Sequence, residues 1–207
     1  MGPYIPPPAF HTFDPIRLSP NNLVDAISSS INGNHAELLE KLEGLPGVPE
    51  FVEGDAPGMD KSTLLFISVL DWQEDGSSPR PLDGGHSRER IGRFPHSDGN
   101  AIEYLLENTG EGEGSQLHDL LGKLGRGLGE DAFGFPDYDK GAGGMELLGW
   151  LEGGEITDLR KEIERGSWSV MSDEPLDGGV QDAFRHLLVI LRAATRRRCG
   201  IIMRRHS

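Results

Sequence analysis

His86 and His96 lie near Asp83 and Asp98 in a single irregular stretch, residues 73–100. Those side chains could ligate a divalent metal that activates water for hydrolysis. Their spacing fits no established ligand pattern. Asp71-x-Gln73-x-Asp75-Gly76 and Asp137-Tyr138-Asp139-Lys140-Gly141 both begin like calcium loops. Such a loop needs a bidentate Glu at its twelfth position, where Leu82 and Leu148 stand. No metal site is expected. Gly110-x-Gly112-x-Gly114 and Gly122-x-x-Gly125-x-Gly127 follow expected helices, not strands, and no Gly-Lys-Ser/Thr is present. Neither a dinucleotide nor a triphosphate cradle is therefore indicated, and no cofactor is expected. There is no Gly-x-Ser-x-Gly elbow. Cys199 sits at a helix end among arginines, which would lower its thiol pKa, but nothing beside it completes a nucleophile. No catalytic residue is assigned.

What the residue types do support is charge recognition. All 34 acidic residues lie at or before Asp182, and seven of the 20 basic residues lie after it. Residues 1–184 hold 13 basic against 34 acidic side chains, a balance of −21, while residues 185–207 carry +7. An acidic body disfavours phosphate backbones and suits a basic protein partner. The carboxylates expected to meet that partner are Asp71, Glu74, Asp75, Asp83, Glu111, Glu113, Asp137 and Asp139, all in loops. Arg196, Arg197, Arg198, Arg204 and Arg205 form the candidate anion-binding set. Cations at a helix C-terminus are also favoured by its dipole, and the acidic loops of the same chain offer them internal partners.

The elements that must position these groups follow from periodicity and caps. Residues 1–17 read as an extended, proline-rich arm leading into a strand over about Ala9–Arg17, and residues 18–207 as one domain. Ser19-Pro20 starts a helix carrying Leu23, Ile27 and Ile31, which Asn32-Gly33 ends. A second helix begins near Asn34, with Leu38, Leu39 and Leu42 apolar. Asp60 caps a third that contains Leu64, Leu65, Ile67, Val69 and Leu70. Residues 73–100 form an exposed loop anchored by Ile91 and Phe94. Helices follow at Asn100–Asn108 and around Leu117–Leu124, separated by a flexible 110–114 break. Residues 125–144 are again loop. Helices return at Met145–Leu151 and Glu155–Arg165, the latter closed by Gly166. Residues 167–171 alternate like a strand. The longest helix, Gly179–Arg198, shows an apolar stripe through Val180, Phe184, Leu187, Leu188 and Leu191. Gly200 ends it, and Ile201–Met203 reads as a final strand. The expected class is α+β, a mostly helical single domain with a small sheet and long Gly/Pro-rich loops. Trp72, Trp150 and Trp168 are expected in packing roles.

A single cysteine allows no intramolecular disulfide and fits a reducing compartment. The N-terminus shows neither signal peptide nor myristoylation pattern. Leu64–Leu70, the longest uncharged apolar run, is too short for a bilayer. A cytoplasmic protein with no membrane partner is expected.

In the order Met1-Gly2, Leu18-Ser19-Pro20, Met59-Asp60-Lys61, Leu65-Phe66, Pro81-Leu82, Gly84-Gly85 and Ile91-Gly92, the chain resembles the YfbM-like family of small bacterial proteins. The long helix through Ala193-Ala194 before Gly200-Ile201-Ile202 is similar too. Ser62-Thr63 and Arg93-Phe94-Pro95 depart from that family's pattern. The resemblance implies an α+β domain and carries over no catalytic residue.

The resulting expectation is a non-enzymatic acidic binding module, concretely an immunity-type inhibitor of a basic nuclease toxin. The alternatives are a metal-dependent hydrolase built on the 73–100 and 125–144 loops, and a binder of nucleic acid or anionic surfaces through the arginine tail.

Overall fold

The C-terminal strand organises the chain. In the computed structural model, which describes residues 9–84, 91–128, 138 and 140–206, β1 (Phe10–Ile16), β3 (Met145–Leu151) and β5 (Gly200–His206) form an antiparallel sheet in the order β1-β5-β3. β5 therefore lies in the middle, paired from Phe10↔His206 to Ile16↔Gly200 on one side and from Met145↔His206 to Leu151↔Ile201 on the other. Successive side chains of a strand point to opposite faces. Ile201 and Met203 thus enter one core cluster and Ile202 the other.

Helices cover both faces. On the first pack α4 (Ala101–Asn108), α5 (Leu117–Arg126), α6 (Gly153–Arg165) and α7 (Gly179–Arg197), through residues such as Ile102, Leu121, Leu159 and Leu187. On the second pack α1 (Val24–Ile31), α2 (Ala36–Lys41) and α3 (Lys61–Val69), through Ile27, Leu38, Leu64 and Leu65. A two-stranded ribbon, β2 (Thr109–Glu111) with β4 (Trp168–Val170), stands apart from the main sheet. The class is α+β, with seven helices among the described residues.

Caps expected from sequence form where a side-chain acceptor meets an orphan helix N–H. Asp60 Oδ1 accepts from the Thr63 amide at 2.7 Å, and Asn100 Oδ1 from Ile102 and Glu103 at 3.0 and 3.3 Å. Glu152 and Glu155 close a capping box at the start of α6, and Gly166 ends that helix in the left-handed region, φ 69°.

Four readings need correction. Met145–Leu151 is a strand, not a helix. Its apolar run carries no decisive period, and pairing with β5 together with a bulge between Leu147 and Gly149 decides it. The glycine-rich break after α4 is ordered as β2, where Gly110 and Gly112 let the backbone approach Ser169 and Ser167. Ser19-Pro20 opens only a 3-10 turn (Pro20–Asn22), and α1 begins at Val24. The last helix is closed by Arg198 in the left-handed region, φ 55°, while Gly200 already belongs to β5. The strand expected over about Ala9–Arg17 is present as the edge strand β1, Phe10–Ile16.

Candidate functional site

The basic tail is folded into the sheet, and that placement supplies its counter-ions. Arg204, on β5, donates from Nε to Asp14 Oδ2 at 2.6 Å and lies 4.8 Å from the Phe66 ring centroid. Arg205 donates to Glu146 at 3.1 Å and lies 3.7 Å from Asp98. Arg197, at the end of α7, donates to the Arg80 carbonyl at 2.6 Å and lies 3.4 Å from Asp71. Arg196 and Arg198 are exposed, with no partner among the described residues.

The loop carboxylates are placed unevenly. Asp71 follows α3 and sits between two guanidinium groups, accepting from Arg17 Nε and Nη2 at 3.1 and 2.8 Å on the side opposite Arg197. Asp75 accepts from the Ser77 amide at 2.9 Å, and its hydrogen bonds to Ser77 hold its carboxyl below the usual range. Glu74 is exposed beside it. Asp83 lines a separate cavity of about 300 Å³ between β1 and residues 78–83. Glu111 accepts from the His118 amide at 2.5 Å, in the first turn of α5, and Glu113 is exposed in the turn before that helix. Asp137 and Asp139 lie outside the described residues.

Sequence reasoning overlooked the residues between Arg17 and Lys61. Lys41 is the single basic side chain in that interval, against eight carboxylates. Counting charge along the chain in shorter windows would have exposed it. Only one of the eight, Glu37, forms an ion pair among the described residues, with Lys41 at 3.4 Å. Asp60 is spent as the α3 cap. Asp25, Glu40, Glu43, Glu50, Glu53 and Asp55 are exposed. Leu39 at 41 % and Val52 at 67 % are among the few large apolar side chains left in solvent.

His35 fixes this acidic lobe. It is buried, its Nδ1 lies 2.8 Å from Ser30 Oγ, and its ring stacks on Phe51 at 4.7 Å. Nε2 faces the Val52 and Asp55 carbonyls at 3.1 and 2.9 Å. Carbonyl oxygens only accept, so Nε2 carries the proton. Gly54 donates its amide to the Gly33 carbonyl at 3.0 Å, and a side chain on Gly33 (φ 87°) would meet the Gly54 carbonyl oxygen at 2.7 Å. The loop bearing Val52, Glu53 and Asp55 is therefore pinned to the turn between α1 and α2, immediately before the helix that carries Glu37, Leu39 and Glu40.

Catalytic geometry is weaker. Among the described residues no three His, Cys, Asp or Glu side chains converge as a metal site. His96 packs edge-on against Tyr104 at 5.1 Å, and His86 lies outside the described residues. Thr109 Oγ1 lies 2.9 Å from His118 Nε2, with Glu111 beyond, superficially like a relay. Its proton, however, goes to the Leu105 carbonyl at 2.6 Å, which leaves the imidazole as donor rather than base. Cys199 is buried, and burial pushes its thiol up, outweighing the lowering by Arg197; this corrects the expectation that arginines would activate it. Among the described residues no helix is long and apolar enough to cross a membrane. No family model, no curated protein and no solved structure matches this chain.

Proposed function

We propose that the protein is a non-enzymatic binding module that docks a basic protein on the acidic lobe formed by α2 and the 42–60 loop. The observation that carries this reading is the uncompensated charge of that lobe, with Leu39 and Val52 exposed among the carboxylates. Like charges gathered on a surface repel one another, and a basic partner relieves that repulsion as it binds. The exposed apolar pair supplies the desolvated contact that charge alone does not. The clamp at His35 holds the lobe in one shape before the partner arrives, which limits the ordering cost of association. The partner class that suits this surface best is a basic nuclease toxin, with the protein acting as its cytoplasmic, immunity-type inhibitor. The YfbM-like resemblance names no reaction and adds none to this reading.

The experiment is recovery of the tagged protein at low salt, followed by identification of what elutes. A stoichiometric basic protein released by high salt is the expected result. Its association rate should fall with ionic strength. Glu40→Lys with Glu53→Lys should slow it tenfold or more, whereas Asp158→Lys on α6 should not. Recovery of the protein alone, together with failure of co-expression to rescue cells from any cognate toxin, would refute the proposal.

A further inference from the structure

A second feature, in which three arginines gather, lies where the end of β1, the segment after α3 and the end of α7 meet. Arg17, Arg80 and Arg197, from three distant parts of the chain, line one open groove of about 700 Å³ together with Asp71 and Trp72. Each guanidinium has five N–H donors. Arg17 uses Nε and one Nη, both on the same Asp71 oxygen. Arg197 reaches the Arg80 carbonyl and, at 3.4 Å, Asp71. Arg80 donates only from Nε, to Gln73 Oε1 at 2.6 Å. Most of the donors in the groove thus have no protein acceptor among the described residues.

The geometry is held from behind. Trp72 donates its indole N–H to the Ile67 carbonyl at 2.7 Å, and Gln73 donates to Ser77 Oγ and the Ser78 carbonyl at 2.7 and 2.8 Å. Arg80 is consequently tethered to a braced turn. The other two carboxylates of the groove make no direct ion pair with the arginines among the described residues, although Arg80 adds to Ser77 in holding the Asp75 carboxyl below its usual range. Asp75 is occupied by Ser77, and Glu74 sits exposed at the rim. Asp71 alone stands between the guanidinium groups, an internal counter-ion that keeps Arg17 and Arg197 together without saturating them.

We propose that this groove binds a small ligand through an oxyanion group, a phosphate or a carboxylate, received by Arg17, Arg80 and Arg197, with Trp72 as the wall for the ligand's body. Arginine forks match planar or tetrahedral oxyanions in paired hydrogen bonds, and an aromatic wall favours a ligand with a flat or apolar remainder. The groove borders the acidic lobe, since the Trp72 ring packs against Gly47 and Arg17 lies beside residues 42–48, but its chemistry does not depend on the docking reading.

The test titrates the full-length protein with pyrophosphate and, separately, with citrate, at constant ionic strength, reading tryptophan fluorescence and thermal midpoint. Saturable quenching that disappears in Trp72→Phe is expected. Arg80→Gln disturbs the fewest internal contacts and should weaken binding about tenfold or more, as loss of a charge-assisted hydrogen bond does. Lys161→Gln removes the same charge from α6 and should leave binding unchanged. Saturation by pyrophosphate alone assigns a phosphate ligand, and saturation by citrate alone a carboxylate. Absence of saturable binding by either anion, or binding that Arg80→Gln and Arg197→Gln leave intact, would overturn the proposal and reduce the cluster to a surface ion-pair network.

Discussion

Replacing glycine by alanine at positions 149 and 122 should have opposite effects, although both concern α5. Gly149 lies at the bulge of β3, where the C-terminal turn of α5 touches the sheet. A Cβ there would stand 2.0 Å from the Lys123 carbonyl oxygen and 2.5 Å from that of Leu124, where ordinary contact begins near 3.4 Å. Both obstacles are backbone, so no side-chain rotation relieves them. Either α5 or the strand must move by more than an ångström, against the Leu128 amide bond to the Leu148 carbonyl at 2.8 Å. Overpacking typically costs 1–3 kcal/mol, and a rigid obstacle places this case at the upper end, about 3 kcal/mol. At roughly 2–4 °C per kcal/mol for a chain of this size, the melting midpoint should fall by about 6–12 °C. Gly122 is interior to the same helix, and its Cβ would meet nothing within 4 Å. Alanine there should stabilise by about 1 kcal/mol through helix propensity alone. Urea and thermal unfolding of the two variants measure both effects. A Gly149→Ala protein within about 0.5 kcal/mol of the parent would refute the claim that α5 closes directly on the backbone of β3. A destabilised Gly122→Ala would instead refute the open placement of Gly122 on the free face of α5.

His35→Ala should cost about 2–4 kcal/mol, because it opens a buried cavity and strands Ser30 Oγ and two carbonyls. Amide exchange of residues 50–55 should rise before global unfolding, and uniform protection across that loop would contradict the clamp. Tyr104 is held to about pH 12 by burial first and then by its hydrogen bond to Glu174 at 2.9 Å. Its folded value lies above the ordinary value of 10, so the stability it contributes is complete below pH 10 and is lost as pH rises towards 12. Tyr104→Phe should flatten that alkaline decline, and an unchanged slope would exclude Tyr104 as its source. In the acid direction, burial lowers the His11 and His206 pKa values, so the stability tied to their neutral rings is present above pH 6.5 and is lost as pH falls below it. Replacing both by Gln should reduce the decline measured by urea unfolding between neutral pH and pH 5, and an undiminished decline would assign it elsewhere.

Local signals in the sequence were enough to specify most helices. The Asp60 and Asn100 caps, the Gly166 stop and the apolar stripes at helical spacing are each satisfied within one or two turns of chain, so they can be read without knowing the fold. The split of charge was legible for the same reason, since composition is independent of conformation. What the sequence could not decide were interactions between distant residues. Met145–Leu151 becomes a strand only because β5 lies beside it, and its glycine matters only because α5 arrives there. Internal partners for the arginines of the tail were expected, but which carboxylates these are is decided only when β5 takes the centre of the sheet and brings Asp14, Asp98 and Glu146 against Arg204 and Arg205. Asp71, read as a partner-facing carboxylate, is enclosed by Arg17 and Arg197, separated from it by 54 and 126 residues. Charge is a property of the residue, but whether a charge faces solvent or another part of its own chain is settled by long-range pairing. Only the tertiary structure therefore separated the five exposed carboxylates of the acidic lobe that form no ion pair among the described residues from those already neutralised within the fold.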